Sequence, residues 1–444
     1  MKKTIILSLA VCLLPAFAAH AKKNDCNTRK NPPSGEVTLQ QVIELGLCRN
    51  PNTAAAYLSA ESARLSKNAA YAPYLPSVNA SVDGTKRLRN KEWSDWQSGA
   101  SLSASWLLFD FGKRLADLNA MAAMWRATGF DYSNTVQNFV YEMVAAYYGM
   151  LGADAEVRVA EYLVDVARGA RDTASKKHSA GSVARADVLR ADTTLALREL
   201  ELQRANGNRE IAKGRLLYLL SFTQDQELKI ADMPAQFGSQ NESKAIEDLI
   251  ERARRQRPDL LSAGESKNAA WHRRNSAFLR NLPSISASGT LYYDFNNNYD
   301  DFGAGPNDRM GASIGLRASM PIFAGFANAY NLRASQANYE RSDEQMRARD
   351  DNVQMDVWTA FQNYQTAQKV LVQSEALLKS ATESERVVAG MYRVGRATML
   401  DWQTQQADLA SAQRQNITAK YDLFVRRAAL ALAAGELTEA LESE

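Results

Sequence analysis

The residues from Leu282 to Tyr293 alternate so regularly that they restrict the fold more than any other stretch. Ile285, Ala287, Leu291 and Tyr293 fall on one parity, and Ser284, Ser286, Ser288 and Thr290 on the other. After a polar loop the pattern returns, with Ala312, Ile314, Leu316, Ala318 and Met320 set against Ser313, Arg317 and Ser319. Period-two alternation is the mark of a β-strand with two unlike faces. The pair predicts a hairpin, apolar on one side and wet on the other. Strands of about ten residues with small polar groups on one face and apolar groups on the other suit a transmembrane barrel with lipid outside and water inside.

The N-terminal sequence is consistent with export. Lys2 and Lys3 precede an apolar run from Ile5 to Ala19, which ends in the small-x-small pattern Ala19-His20-Ala21. Residues 1–21 therefore read as a signal peptide. The whole chain carries 53 basic and 50 acidic residues; without Lys2 and Lys3 the balance is 51 to 50, or +1. So even a balance does not suggest a nucleic-acid partner. Beyond the signal peptide, no stretch is long and apolar enough for a membrane helix. Of the three cysteines, Cys12 lies in the signal peptide, leaving Cys26 and Cys48 as an expected structural disulfide in an oxidising compartment.

A second alternating pair precedes the first. Leu75 to Val82 predicts a strand, partnered by about 96–108, where Leu102, Ala104, Trp106 and Leu108 oppose Ser101, Ser103 and Ser105. Ahead of it, Thr38 is a plausible N-cap with Gln41 as its reciprocal acceptor, Asn50-Pro51 breaks the helix, and a second helix runs from Pro51 to about Tyr71. The downstream half repeats this plan. Leu75, Pro76 and Ser77 are answered 207 residues later by Leu282, Pro283 and Ser284. Further on the offset is 214, matching Leu102 with Leu316, Phe109 with Phe323, Gly181 with Gly395 and Asp187 with Asp401. An internal duplication follows, its extra residues falling in the loop from Asn296 to Asp308.

Each hairpin leads into a proline-free helical segment, from about Lys113 to Lys177 and from about Ala327 to Arg393. Val136, Val140, Met143, Tyr147 and Met150 in the first, and Val353, Val357, Ala360, Tyr364, Ala367 and Leu371 in the second, recur at heptad-like intervals and predict coiled-coil seams. At 1.5 Å per residue each helix is about 100 Å long. Past Gly181 and Gly395 the chain turns back to about Leu220 and Ala434. The expected organisation is a signal peptide at 1–21, a first repeat at 22–220 with its hairpin at about 77–108, and a linker at 221–243. A second repeat follows at 244–436 with its hairpin at about 284–322, then a tail at 437–444.

Four strands cannot close a barrel, and open edges in lipid leave backbone groups unpaired. Three chains supply 12 strands and six long helical hairpins. The expected fold class is a mixed α/β membrane protein, in which a trimeric 12-stranded β-barrel continues into an α-helical coiled-coil barrel.

Segment order, with Thr38-Leu39, Asn50-Pro51, Leu282-Pro283-Ser284, Pro321-Ile322-Phe323 and the run from Tyr392 to Asp401, resembles the TolC-like outer-membrane efflux and secretion channels over nearly the whole chain. The resemblance implies a homotrimer in outer-membrane lipid, with a periplasmic α-barrel whose far end meets an adaptor protein and an inner-membrane transporter. It also implies that Asp187 and Tyr392 tie neighbouring hairpins in the closed state, and that Asp401 lines the constriction. Arg396 stands one position from the expected basic residue, which aligns with Ala397, and Thr404 replaces an expected second acid. Gly181, Arg185 and Gly395 form the tips that meet the adaptor. Arg185, Arg393 and Arg396 are expected as ionic partners of the carboxylates, with Tyr392→Phe loosening closure and Asp401→Asn altering ion selectivity.

The remaining features read structurally. Trp93, Trp96, Tyr292, Tyr293, Phe295 and Tyr299 suit an interfacial aromatic belt. Arg252, Arg254, Arg255 and Arg257 suit a solvated helix face, and His178 a solvated tip or an adaptor contact. No nucleophile-base or metal constellation stands out, so neither enzymatic chemistry nor a cofactor is expected. The alternative is a coiled-coil trimer of structural or adhesive role, which accounts for the heptads but not for the paired hairpins.

Overall fold

The computed structural model describes residues 35–86, 88–89, 92–93, 97–231, 246–296 and 309–437. The expected signal peptide, Cys26 and most of the expected linker lie outside the described residues, as do Trp96, Tyr299 and the expected C-terminal tail beyond 437. Cys48 is disulfide-bonded.

A short strand β1 (Glu36–Val37) leads into α1 (Leu39–Arg49), which starts as expected: Thr38 and Gln41 form a reciprocal capping box. Asn50 closes α1 and caps α2 (Pro51–Ala69), its Oδ1 accepting from the backbone N–H groups of Asn52 (2.8 Å) and Thr53 (3.3 Å). Strand β2 (Ser77–Thr85) then pairs with β5 (Gln97–Phe109), the two-residue strands β3 (Leu88–Arg89) and β4 (Glu92–Trp93) forming a small ribbon between them. Helix α3 (Lys113–Ser179) and its return α4 (Arg185–Leu219) complete the first half.

Strand β6 (Lys229–Ile230) lies parallel to β1, so part of the expected linker joins the fold, with Phe222 and Leu228 buried. The second half contains α5 (Ile246–Gln256), α6 (Pro258–Leu279), β7 (Ser284–Asn296), β8 (Arg309–Ser319), α7 (Ala327–Arg393) and α8 (Met399–Ala434). Helices α3 and α7 have 67 residues each, about 100 Å at the α-helical rise.

One antiparallel sheet holds the four long strands in the order β2-β5-β7-β8, and both β2 and β8 are edges. Its two hairpins share a register. Ser77 lies opposite Ser105, and the residues 207 and 214 positions on, Ser284 and Ser319, also lie opposite each other. Serine hydroxyls meet across both hairpins, at 2.8 Å for Ser77 and Ser105 and 3.1 Å for Ser284 and Ser319. The register breaks once, between Leu107 and Phe109, so Phe109 rather than Leu108 takes the place opposite Ile285 on the apolar face. That bulge corrects the expected alternation, since an extra residue reverses parity beyond it. Tyr293 is on the apolar face, whereas Tyr292 lies opposite Ser101 on the serine face, its ring over Gly311. Tyr292 therefore leaves the expected aromatic belt.

The helices pack around α3. Of the two long helices α3 and α7, α2 packs chiefly on α3, whereas α6 sits between α3 and α7. The core where α1 crosses α3 contains Val42, Leu45, Phe139, Met143, Tyr147, Leu216 and Leu220; its counterpart in the second half contains Leu249, Ala253, Val353, Val357 and Leu430. Size changes compensate. Gly46 faces Phe139 and Met143, and an added Cβ would come within 2.9 Å of the Met143 methyl. The corresponding Ala253 meets the smaller Val353 and Val357. Val140, Met143, Tyr147 and Met150 are buried as expected, but farther along α3 the seam is small: Ala167, Ala170 and Ala174.

The basic run is more than a solvated face. Arg254 makes two 2.8 Å bonds to Asp350 of α7, Arg252 reaches Glu436 at 2.6 Å, and Arg257 holds both Asp259 (2.7 Å) and Asp356 (3.0 Å). Periodicity places these arginines outside their own helix, but not outside the bundle. Burial pushes the Asp259 carboxyl up, and the Arg257 guanidinium more than offsets it, leaving the group below its ordinary value.

Candidate functional site

Both long helices end in the same way. Gly181 (φ 73°) and Gly395 (φ 79°) occupy the left-handed region, open to glycine at little cost. Around each, two hydrogen bonds close a Schellman turn: Ser182 N–H to Lys177 O (2.8 Å) with Gly181 N–H to His178 O (2.9 Å), and Arg396 N–H to Met391 O (2.8 Å) with Gly395 N–H to Tyr392 O (3.1 Å). His178 is drawn into its turn, its Nδ1 within 3.0 Å of Val183 O.

The returning helices begin differently. Thr398 caps α8: Asp401 N–H donates to Thr398 Oγ1 at 3.2 Å, and Asp401 Oδ2 accepts from Thr398 N–H (2.9 Å) and Oγ1–H (2.6 Å). The hydroxyl bond first, and the backbone bond second, hold the Asp401 carboxyl below its ordinary value. The position matching Thr398 is Ala184, which offers α4 no side-chain cap. Asp187 therefore has no local hydroxyl to engage, and its contact is a 3.8 Å approach to Arg190. Duplicated aspartates thus have unlike roles, one spent on its own helix and the other available.

Between the turns, a cluster joins both hairpins of the chain: Ala174 of α3, Ala191 of α4, Ala389 and Tyr392 of α7, and Met399 and Trp402 of α8. Tyr392 is 2 % exposed. Its ring lies 5.1 Å from that of Trp402, whose Nε1–H donates to Glu385 at 2.9 Å. From the other hairpin, Lys177 Nζ sits 4.4 Å above the Tyr392 ring and donates to the Tyr392 carbonyl. Farther from the turns, Gln403 Nε2 donates to Thr194 Oγ1 at 2.8 Å, joining α8 to α4.

The tyrosine hydroxyl has no hydrogen-bond partner. Burial, with the nearby Asp187 charge second, raises its pKa. Within the chain the two hairpins meet through the Tyr392 ring and the Lys177 contact rather than through the hydroxyl, and removing an unpartnered buried hydroxyl costs little. Arg185, Arg393 and Arg396 are exposed, and among the described residues none pairs with a carboxylate of its own chain; Arg190 is the cation beside Asp187. The structure brings Tyr392 and Asp187 together and leaves Asp401 on its cap. Sequence reasoning missed Lys177, Trp402 and Thr398. Of these, Thr398 was legible through its three-residue spacing to Asp401.

Comparison with known proteins agrees with this architecture. The family model described as outer membrane efflux protein matches residues 42–221 and 249–436. The chain is 25 % identical over 406 residues to Protein CyaE of Bordetella pertussis, covering 90 % of this chain and 85 % of that protein. It is 22 % identical over 424 residues to Outer membrane protein TolC of Escherichia coli, covering 90 % and 83 %. Among solved structures, the open state of the Neisseria gonorrhoeae MtrE outer membrane channel superposes with a TM-score of 0.76 at 18 % identity, covering 92 % of this chain and 95 % of that one. With both halves of the chain matched in order, the protein belongs to the outer membrane efflux protein family.

Proposed function

We propose that the protein works as a homotrimer, a conduit in the outer membrane that receives substrates from an inner-membrane pump through a periplasmic adaptor and passes them outside. The observation that carries this reading is the sheet. Its four strands leave the outer edges of β2 and β8 unpaired, and its apolar face is open, with Val82 82 % and Ile314 94 % exposed. Unpaired backbone edges cost several kcal/mol per group in lipid, so the sheet needs more strands than one chain supplies. Three copies provide 12, an even number suited to such barrels. The apolar residues then face lipid, and the serine ladders face water.

The helices support the same arrangement. Helix α6 fits between α3 and α7, whereas its counterpart α2 packs chiefly on α3 and leaves Tyr57, Leu58 and Leu65 exposed. A neighbouring α7 fills that flank. At the far end, Gly181, Arg185 and Gly395 form the tips offered to the adaptor, and Asp187, Tyr392, Arg396 and Asp401 surround the mouth. The closed state is held by Tyr392, locked between two hairpins. Opening slides α7 and α8 away from α3 and α4, releasing Lys177 from the tyrosine. Cys26 and Cys48 pin the leading segment to α1. The test is single-channel conductance in planar bilayers alongside mass in detergent. A conducting trimer is expected, and a water-soluble monomer would overturn the reading.

A further inference from the structure

The register by which three copies join can be derived from the chain itself. Strand β5, which ends the first hairpin, pairs with β7, which begins the second, and Ser103 lies opposite Thr290. The two hairpins have the same internal register at offsets of 207 and 214. A ring of such units repeats the same junction where β8 of one copy meets β2 of the next. Strand β8 stands where β5 stands, 214 residues later; β2 stands where β7 stands, 207 earlier. Ser103 becomes Arg317, and Thr290 becomes Asp83.

We infer that, in the homotrimer proposed above, the seam between copies is an antiparallel β8–β2 pairing in which Arg317 of one copy lies directly opposite Asp83 of the next, on the water-facing side. Both residues are exposed, and among the described residues neither is paired with an opposite charge in its own chain. Parity agrees: Asp83 lies opposite Gly99 and Arg317 opposite Ser286, so each sits on the serine face. The Asp83 carboxylate leans over Gly99 beside that of Asp294, an acidic pair that favours an arriving guanidinium. The same alignment sets Ser81 opposite Ser319, extending the hydroxyl ladder, and Val82 opposite Ala318 on the lipid side. A one-residue slip would turn the apolar residues of one edge inward. A two-residue slip keeps the faces but puts Arg317 opposite Ser81 or Thr85, leaving both charges unpaired.

The inference rests on the trimeric reading, and cysteine cross-linking of the full chain separates the two. Directly opposed Cβ atoms lie about 4.5–5.5 Å apart and diagonal ones about 7–8 Å, while a disulfide needs roughly 3.5–4.5 Å. Asp83→Cys with Arg317→Cys is oxidised in outer-membrane vesicles and compared with Asp83→Cys paired with Gly315→Cys or Ser319→Cys. Reducible covalent trimer is expected at about tenfold higher yield from the 83/317 pair than from either control. A higher yield from a control overturns the register. No cross-link in any pair, from protein whose mass is that of a trimer, overturns the β8–β2 seam. A mass of one chain overturns the trimeric reading and the seam with it. As a check that does not depend on oxidation, Asp83→Arg with Arg317→Asp restores trimer yield lost in either single variant; failure to restore it counts against the pairing.

Discussion

Lys177 and Tyr392 lie 215 residues apart in sequence, yet the lysine caps the tyrosine ring at 4.4 Å and donates to its carbonyl. The contact joins the last turn of α3 to the last turn of α7, and so one hairpin of the chain to the other. Because the carbonyl also accepts from Gly395 N–H, the lysine grips the turn itself.

The hydroxyl and the ring of Tyr392 are separable. Tyr392→Phe is expected to leave resting conductance near that of the parent, since the hydroxyl has no partner. Tyr392→Ala removes a buried aromatic ring, costing about 3–5 kcal/mol of local packing, and is expected to raise open probability. Single-channel recordings of both variants check this; equal effects would return the closing role to the hydroxyl.

The unequal caps give a second expectation. Thr398→Ala removes the hydroxyl that Asp401 engages and is expected to destabilise the start of α8 by about 1 kcal/mol. Ala184→Thr is expected to stabilise α4 by a similar amount by recruiting Asp187. Hydrogen exchange over 184–190 and 398–404 reads both, with slowed exchange in the first segment for Ala184→Thr.

Asp401 also sets a pH dependence. Its folded pKa lies below the ordinary value, so its stabilisation is fully present above the unfolded pKa of about 4 and is lost as pH falls through the folded value. The stability difference between the parent and Asp401→Asn, measured by thermal unfolding, is expected at pH 7 and should shrink as pH falls through the folded value. A gap that persists in acid would show that the carboxylate's charge is not what holds the cap.

Gly46 tests the compensated cores. Gly46→Ala drives a methyl into Met143 and Phe139 and is expected to cost about 1–3 kcal/mol. Paired with Met143→Val, which imitates the second half, the loss should shrink. Denaturation midpoints of the single and double variants measure the coupling.

Much of this protein was legible in its sequence because the signals are local. Alternation placed the four long strands; proline-free periodicity placed α3 and α7; glycine placed the turns; and Thr38 with Gln41 placed the start of α1. Each depends on backbone conformation and on side chains within a few residues. The offsets of 207 and 214 between the two halves were also readable, since they need only the chain compared with itself. Tertiary structure alone decided which contacts join the two hairpins near their turns. It orphaned the Tyr392 hydroxyl, brought Lys177 over the ring, and turned the basic run of α5 into clamps on α7 and the end of α8. It also placed the bulge at Leu108, which follows from the demands of a neighbouring strand. Those outcomes depend on packing between segments one or two hundred residues apart, where no local propensity names the partner.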